Sequence, residues 1–503
     1  MWLLYLPTAL IFAYFLYNRY FHPLHKIPGP FLASITPLWL VYQCYHRRRP
    51  RLDMELHKAY GSIVRISPNE IMFSNPDHFR EVYGAGTKFT KSRFYEAPTD
   101  PVQEAGWEKL DMLVEKDIEK LRVQKRFAGP IYSISNALKH EHLIDNNILR
   151  SLQRFRTLSS SKSVDIYSEF EILNVDIMSE FTFGKAYGAV EKGSDDGHMA
   201  SMDSMWAWWG WIGFLPWLNE IDKIYSPWAS MIFGGSAEKK FPVFSYAISQ
   251  ITAYETASAS GQKVPVPCLL DDLRTLSRTR PEFKDNWGMR LALTDLGAGV
   301  DTMSWTLSAF IVGIAQNPSV YQKLKSELDS SGLNSKDATP VPYETAASLP
   351  YFQACLHECQ RMWPNIAVSI PRDVPAGGIE IDGYFIPEGY TVGMNSKVLG
   401  WSGEVFGREP ERFRPERWLE ADKAQRDSME NKNLSFGGSA RKCPGMHVAW
   451  VCMSKVLASL YANFEVKLLN ELDGKPGPAG HVWREHGSFP TKWHGLEVEL
   501  IAR

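Results

Sequence analysis

The chain opens on a run of apolar positions, WLLYLPTALIFAYFLY from Trp2 to Tyr17, with no charged side chain before Arg19. A membrane-spanning helix needs ~20 such residues, so this run is slightly short. Trp2, Tyr17 and Tyr20 suit the two interfaces, and Arg19 can snorkel. The basic residues follow the apolar run, and the bulky flank YNRYFHPLHK offers no cleavage site for a signal peptidase. No acidic residue precedes Asp53, while Arg19, Lys26, Arg47, Arg48, Arg49 and Arg51 all do. Residues 1–26 are therefore expected to form an uncleaved single-pass anchor, with residues 27–503 on the cytosolic side by the positive-inside rule. Ile27-Pro28-Gly29-Pro30 is a stiff turn between the two. Phe31–Arg51 is a second apolar stretch with a basic end. It reads equally as a segment resting on the membrane surface or as a first helix with a solvated basic end.

Beyond residue 30 the polarity pattern is mostly of helical period, with β-rich pieces near Ile63–Phe73 and Gly378–Tyr390. The second carries Asp382-Gly383, a hairpin signal. The longest helical segment, Asp285 to Asn317, is apolar nearly all round and stops at Pro318. At 1.5 Å per residue it spans ~50 Å, and a helix apolar on every side belongs at the centre of a domain. The reading is mainly α with small β-sheets. Length alone suggests about three domains at ~150 residues each, but the chain shows no internal repeat and no further linker. One large domain behind the anchor fits better.

Composition narrows the function. The net charge of −2 gives no electrostatic case for nucleic acid. Six cysteines in 503 residues are too few for a disulfide framework, which favours a reducing compartment. Seventeen tryptophans call for a large core, a pocket or a membrane to receive them.

Three motifs carry chemistry. Inside the long helix, Gly297-Ala298-Gly299-Val300-Asp301-Thr302-Met303-Ser304 places two glycines where each costs ~1 kcal/mol against alanine. Either something approaches the backbone there and a proton is moved, or Thr302 bonds back to a preceding carbonyl and kinks the helix. Glu358 and Arg361, at i and i+3 within a helical stretch from Tyr351 to Trp363, share one face. On an exposed helix such a pair contributes only tenths of a kcal/mol. The third motif is Phe436-Gly437-Gly438-Ser439-Ala440-Arg441-Lys442-Cys443-Pro444-Gly445. With Pro444 at a first helical position, Cys443 would sit at a helix N-terminus, where N–H groups and the dipole favour a thiolate. The readings are a metal-ligating thiolate, a small buried core cysteine, or zinc with His447 and Cys452. The zinc set lacks a fourth ligand and any paired Cys-x-x-Cys.

The order of these three motifs resembles the cytochrome P-450 family of haem-thiolate monooxygenases over essentially the whole chain. The resemblance includes Phe413-Arg414-Pro415-Glu416-Arg417-Trp418, and the wording HPLHKIPGP and YGSIVRISPNE is similar to the fungal membrane-bound branch that includes pisatin demethylase. It implies a single haem domain and haem b as cofactor, with Cys443 the axial ligand of the iron and Phe436 leading its loop. Asp301 and Thr302 would relay protons, and Glu358, Arg361 and Arg417 would form a structural ion network. Arg372, Arg441 and Lys125 would meet the haem propionates. Two departures stand out: Ser439 replaces a glycine, with strain expected if its φ is positive, and Leu121 replaces a propionate donor. The resemblance further implies NADPH acting through a separate flavoprotein reductase docked on the basic proximal side, and residence in the endoplasmic reticulum membrane. A lipophilic small-molecule substrate, of fungal secondary metabolism, would meet Phe89–Leu113, Met205–Trp217, Asn365–Ile370 and the tip near Phe489. Trp206, Trp208, Trp209, Trp211 and Trp217 would roof that pocket, dip into the membrane or pack. A haem-thiolate isomerase or dehydratase, and a non-catalytic haem binder, are the competing readings. Retention of Asp301-Thr302 favours oxygen activation.

Overall fold

The computed structural model describes residues 2–97, 112–218, 220–221, 241–260, 266–333, 339–487 and 489–503. The long apolar helix forms as expected, over Asp285–Ala315, about 46 Å at 1.5 Å per residue. It ends two residues before the expected Asn317. Gln316 closes the last turn, and Asn317 instead precedes the next helix, whose first residue is Pro318. Among the described residues this is the one helix long and apolar enough to cross a membrane. Since 78% of its apolar window is buried in protein, it is the core.

Two further helices make that core. Ile166–Phe183 lies against the central helix and is buried along nearly its whole length. Asn174 Nδ2 donates to Ser304 Oγ at 2.9 Å between the two. Met446–Asn463, also buried almost throughout, brings the cysteine loop to the central helix. Gly297 and Gly299 now have a local explanation. A Cβ on Gly299 would meet Met178 Sδ at 3.0 Å, and one on Gly297 would meet the Phe244 ring at 3.2 Å. Both glycines make room for neighbouring side chains.

The sheets are small. Ile63–Ser67 and Glu70–Phe73 pair antiparallel, and Thr391–Gly393, Arg372–Asp373 and Thr90–Lys91 complete five strands. Ile379–Ile381 and Tyr384–Ile386 form the hairpin read from Asp382-Gly383. Both turn residues have positive φ, 50° and 80°, as a two-residue turn of this kind requires. The Asp382 carboxylate accepts from Ser62 Oγ at 2.5 Å and Asn75 Nδ2 at 2.7 Å, which pins the hairpin to the larger sheet.

At the N-terminus, the helix Trp2–Leu16 is about 22 Å long, and Tyr17–Phe21 continues it as a π-turn. Leu6, Leu10, Ile11 and Phe12 are all exposed. From Asn18 onward the chain is fixed to the body: Arg65 Nη1 donates to the Asn18 carbonyl at 2.9 Å, and Leu24 is fully buried. The basic end of the second stretch is only partly solvated: Arg48 and Arg51 are exposed, Arg47 is half-buried and Arg49 is buried. Arg49 is buried with Asp53 at 2.7 Å, Arg47 pairs with Asp203 at 2.6 Å, and Arg51 pairs with Asp473.

Candidate active site

The cysteine loop is folded by its own backbone. Asn433 accepts from Ser435 N at 3.0 Å to start a 3-10 turn, and Cys443 N donates to Phe436 O at 2.7 Å to close the loop. Gly437 takes the positive φ, 78°, while Gly438 is at −80° and Ser439 is not among the positive-φ residues. The strain expected at Ser439 is therefore absent, because the left-handed position lies two residues earlier. Gly438 is required for a different reason: a Cβ there would meet Tyr83 Cβ at 2.6 Å and the Tyr83 carbonyl at 2.8 Å. We expect Gly438→Ala to lower stability by about 1–3 kcal/mol, as overpacking does, read from the urea midpoint. Ser439→Ala should move it by far less.

Cys443 lies ahead of the helix Met446–Asn463, for which Gly445 is the N-cap. Pro444 thus precedes the helix and does not occupy its first position. The Cys443 sulfur accepts from the N–H groups of Gly445 and Met446, as a helix entrance allows. Burial nonetheless outweighs them and Lys125, so the thiol stays above its usual value. Lys125 Nζ donates to the Lys442 carbonyl at 2.8 Å. Burial lowers its ammonium to about 8, with Cys443 opposing the shift.

Arg441 and Arg372 approach the same region. Arg441 donates to the Glu115 carbonyl at 2.5 Å and the Lys116 carbonyl at 2.8 Å. Arg372 donates to the Pro371 carbonyl at 2.9 Å and lies over the Tyr83 ring at 5.3 Å. Burial, then repulsion by Arg372, brings Arg441 down to about 10. Among the described residues neither guanidinium has a carboxylate partner within ion-pair distance. Leu121 is buried in the core and offers no donor.

Opposite the loop, Thr294, Ala298 and Thr302 follow one another at i, i+4 and i+8 along the central helix. Thr294 and Ala298 are exposed and Thr302 is half-buried. Thr302 Oγ1 donates to the Ala298 carbonyl at 2.7 Å, the back-bond that sequence suggested. Asp301 points elsewhere. Its Oδ2 accepts from Trp206 Nε1 at 2.7 Å, and its Oδ1 pairs with Lys492 Nζ at 2.5 Å, both side chains being 2% exposed. Acid and alcohol are adjacent in sequence but lie about 100° apart around the helix. Asp295, unnoticed in the sequence, accepts from Tyr132 Oη at 2.8 Å. Burial pushes its carboxyl up to about 7, and the Cys443 sulfur lies within its electrostatic reach.

Beside this face sits an aromatic cluster. Phe94, Tyr95, Trp209, Val368 and Phe489 are buried together, with Trp206, Trp208, Trp211, Phe214 and Ile366 around them. Phe94 and Trp209 stack at 5.5 Å, and Trp206 stacks on Trp209 at 5.3 Å. The four stretches expected around a substrate thus meet in one place, although residues 98–111 of the first lie outside the described residues. Trp209 is a packing residue, its Nε1 donating to the Phe94 carbonyl at 3.0 Å. Trp217, 61% exposed, is the one outward-facing member.

Glu358 and Arg361 are not the surface pair that spacing alone suggested. Both are buried in the helix Pro350–Met362. Arg361 reaches Glu358 through Nε at 2.8 Å and Nη2 at 2.7 Å, and Arg417 Nε donates at 3.0 Å. Trp418 Nε1 and Arg414 N complete the carboxylate's shell at 2.9 and 2.8 Å. The remaining N–H groups of the two arginines hold the Gly400, Pro410, Phe406 and Glu409 carbonyls. The network thereby fixes the segment leading into the cysteine loop.

The donor set decides what can bind. One cysteine sulfur with two N–H bonds suits a metal that accepts a soft thiolate. Two guanidiniums without carboxylate partners among the described residues, beside an ammonium, suit a ligand carrying two carboxylates. Both halves fit haem b, an iron porphyrin with two propionates. The zinc alternative fails: among the described residues the one convergent group of metal-ligating side chains is Asp203, His486 and His494, away from Cys443.

A fold built on one buried central helix, with the Cys443 loop brought to it by the helix Met446–Asn463, is that of a haem-binding oxygenase of the cytochrome P-450 class. Comparison agrees: the cytochrome P-450 profile matches residues 28–484. The chain is 31% identical to cytochrome P-450 monooxygenase sdnT of Sordaria araneosa, across 91% of this chain and 89% of that one. It is 29% identical to monooxygenase gsfF of Penicillium aethiopicum, across 98% and 96%. It is 27% identical to pisatin demethylase of Fusarium vanettenii, across 90% and 86%. The protein belongs to the cytochrome P-450 family and is a monooxygenase, an oxidoreductase whose family binds haem iron.

Proposed function

We propose that this monooxygenase inserts one atom of dioxygen into a lipophilic small molecule of fungal secondary metabolism. The observation that carries the reading is that the central helix links the Cys443 loop to the aromatic cluster: Asp295 lies within electrostatic reach of the Cys443 sulfur, and Asp301 accepts from Trp206 of the cluster, with Thr294, Ala298 and Thr302 open along the same helix. Haem bound there would supply dioxygen activation and the oxidising power. Cys443 would bind its iron through sulfur, and Arg372, Arg441 and Lys125 would hold its propionates. Thr302 would hold a proton at Oγ1 and Asp301 would replenish it, after a side-chain rotation that releases Trp206. Phe94, Trp206 and Phe489 would orient an apolar substrate and exclude water.

Electrons would come from NADPH through a flavoprotein reductase. Arg122 and Arg126 are exposed on Ile118–Ile131, the helix that carries Lys125, and offer it a basic docking face. The exposed apolar N-terminal helix, together with exposed Phe31, Leu32, Leu38 and Tyr42, would attach the protein to the endoplasmic reticulum membrane with the catalytic domain cytosolic.

Thr302→Ala tests the reading. With reductase and NADPH, product formation should fall by about 10²-fold, the low end of what a positioned proton donor contributes. NADPH consumption should continue with peroxide as the outlet. Unchanged product per NADPH would remove Thr302 from the relay.

A further inference from the structure

Asp301 does not face its proton source alone. Lys492, on the strand Thr491–His494, pairs with Asp301 Oδ1 at 2.5 Å and with Glu171 Oε1 at 3.4 Å. Exposure rises along this line, from 2% for the Asp301 and Lys492 side chains to 16% for Glu171. Glu171 is on Ile166–Phe183, so three separate elements deliver one carboxylate, one ammonium and a second carboxylate in sequence.

We propose that Glu171 and Lys492 form the proton-supply line to Asp301, Glu171 taking protons from solvent and Lys492 passing them inward. The proposal rests on the reading of Asp301 as the acid of the oxygen-activating relay. Glu171 and Lys492 are positioning residues that act through Asp301. As the Glu171 carboxylic acid gives its proton to Lys492, the ammonium gives one of its own to the Asp301 carboxylate. Lys492 is an ammonium before and after, Glu171 ends as a carboxylate and Asp301 as a carboxylic acid. Solvent then reloads Glu171.

Charge supports this arrangement over simple neutralisation. One buried ammonium balances one buried carboxylate, and a second ionised carboxylate would be in excess at a cost in desolvation. Burial, opposed by Lys492, pushes Glu171 up to about 8, so near neutrality the cluster holds one ion pair and one exchangeable proton. The neighbouring charges are Asp195 beside Glu171, and Asp203 beside Lys492. His198, His486 and His494 also feel Lys492, and burial lowers all three, the first two to about 4. Lys492 itself is raised, because Asp301 and Glu171 outweigh its burial.

The test needs no identified substrate. Full-length holoenzyme with flavoprotein reductase oxidises NADPH in air, and the consumed oxygen is divided among superoxide, hydrogen peroxide and water. These products require no, two and four protons per dioxygen, so a starved relay shifts the division toward superoxide, measured by spin trapping. In wild type the superoxide share should rise as pH passes about 8, where Glu171 empties. Glu171→Gln and Lys492→Met should each raise that share several-fold at pH 7 and abolish the pH step, while Lys492→Arg restores part of the supply. The infrared carboxylic-acid band of Glu171, absent in Glu171→Gln, should titrate with the same midpoint. An unchanged superoxide share and pH step in Glu171→Gln and Lys492→Met, where Asp301→Asn raises the share, would overturn the supply line alone. An unchanged share in Asp301→Asn would overturn the relay reading beneath it.

Discussion

Cys443→Ala is expected to abolish the red-shifted Soret band of the reduced, carbon-monoxide-bound protein, and NADPH-dependent turnover with it. Among the described residues no other cysteine can replace this ligand: Cys44, Cys268, Cys355, Cys359 and Cys452 are all buried in the protein interior. His447 is exposed, and no cluster of ligating atoms forms around it. The loop itself depends on Gly437, Gly438 and the Cys443 N–H, none of which the substitution alters, so the variant should remain folded. The Cys443 side chain is exposed, but the protein atoms packed around its sulfur desolvate it and hold the thiol above its usual value, so the apoprotein carries a proton there at neutral pH. Binding iron must expel it. Haem capture by apoprotein is therefore expected to release a proton and to tighten as pH rises toward that raised value. Persistence of the band in Cys443→Ala would mean that a different side chain ligates the iron.

What the sequence revealed, and what it hid, follows the range of the interactions involved. The central helix, the Asp382-Gly383 hairpin and the cysteine loop are local patterns and could be read from consecutive residues. The loop's tolerance of Ser439 could not. It depends on Gly437 taking the positive φ and Gly438 lying against Tyr83, a residue more than 350 positions away. Lys492 gave no signal at all, being one position in a short strand with buried neighbours on both sides. Its meeting with Asp301 and Glu171 is a product of tertiary packing. Asp301 and Thr302 were legible as a pair, but their separation around the helix, with Asp301 held by Trp206 and Lys492, required coordinates. The glycines at 297 and 299 fitted either a close approach to the backbone or a helix kink; their packing against Phe244 and Met178 depends on tertiary neighbours that the sequence does not show. Helical spacing also cannot tell an exposed i, i+3 pair from a buried one, which is why Glu358 and Arg361 looked weak.

Glu358→Gln is accordingly expected to destabilise the protein by about 3–5 kcal/mol, the range for removing one partner of a buried ion network. The amide fits the same space and can still accept from Trp418, so packing changes little. The loss is electrostatic: Arg361 and Arg417, 1% and 4% exposed, are left in the interior without a counter-charge. Backbone carbonyls satisfy their remaining N–H groups but do not neutralise them. Burial alone would raise the Glu358 carboxyl, yet Arg361 and then Arg417 hold it below the usual range. Its contribution is therefore complete above the unfolded-state value of ~4.3 and is lost as pH falls through the depressed one. Urea unfolding at pH 7 should show the full difference between Glu358→Gln and wild type, and the two should converge only at strongly acidic pH. Arg417→Lys separates charge from geometry: an ammonium keeps the counter-charge but cannot span the Phe406, Glu409 and Arg412 carbonyls that the guanidinium holds. A stability loss in Arg417→Lys approaching that of Glu358→Gln would show that the network matters mainly as a fork tying the Phe406–Arg414 segment beneath the cysteine loop. A loss well under half as large would assign its main role to charge.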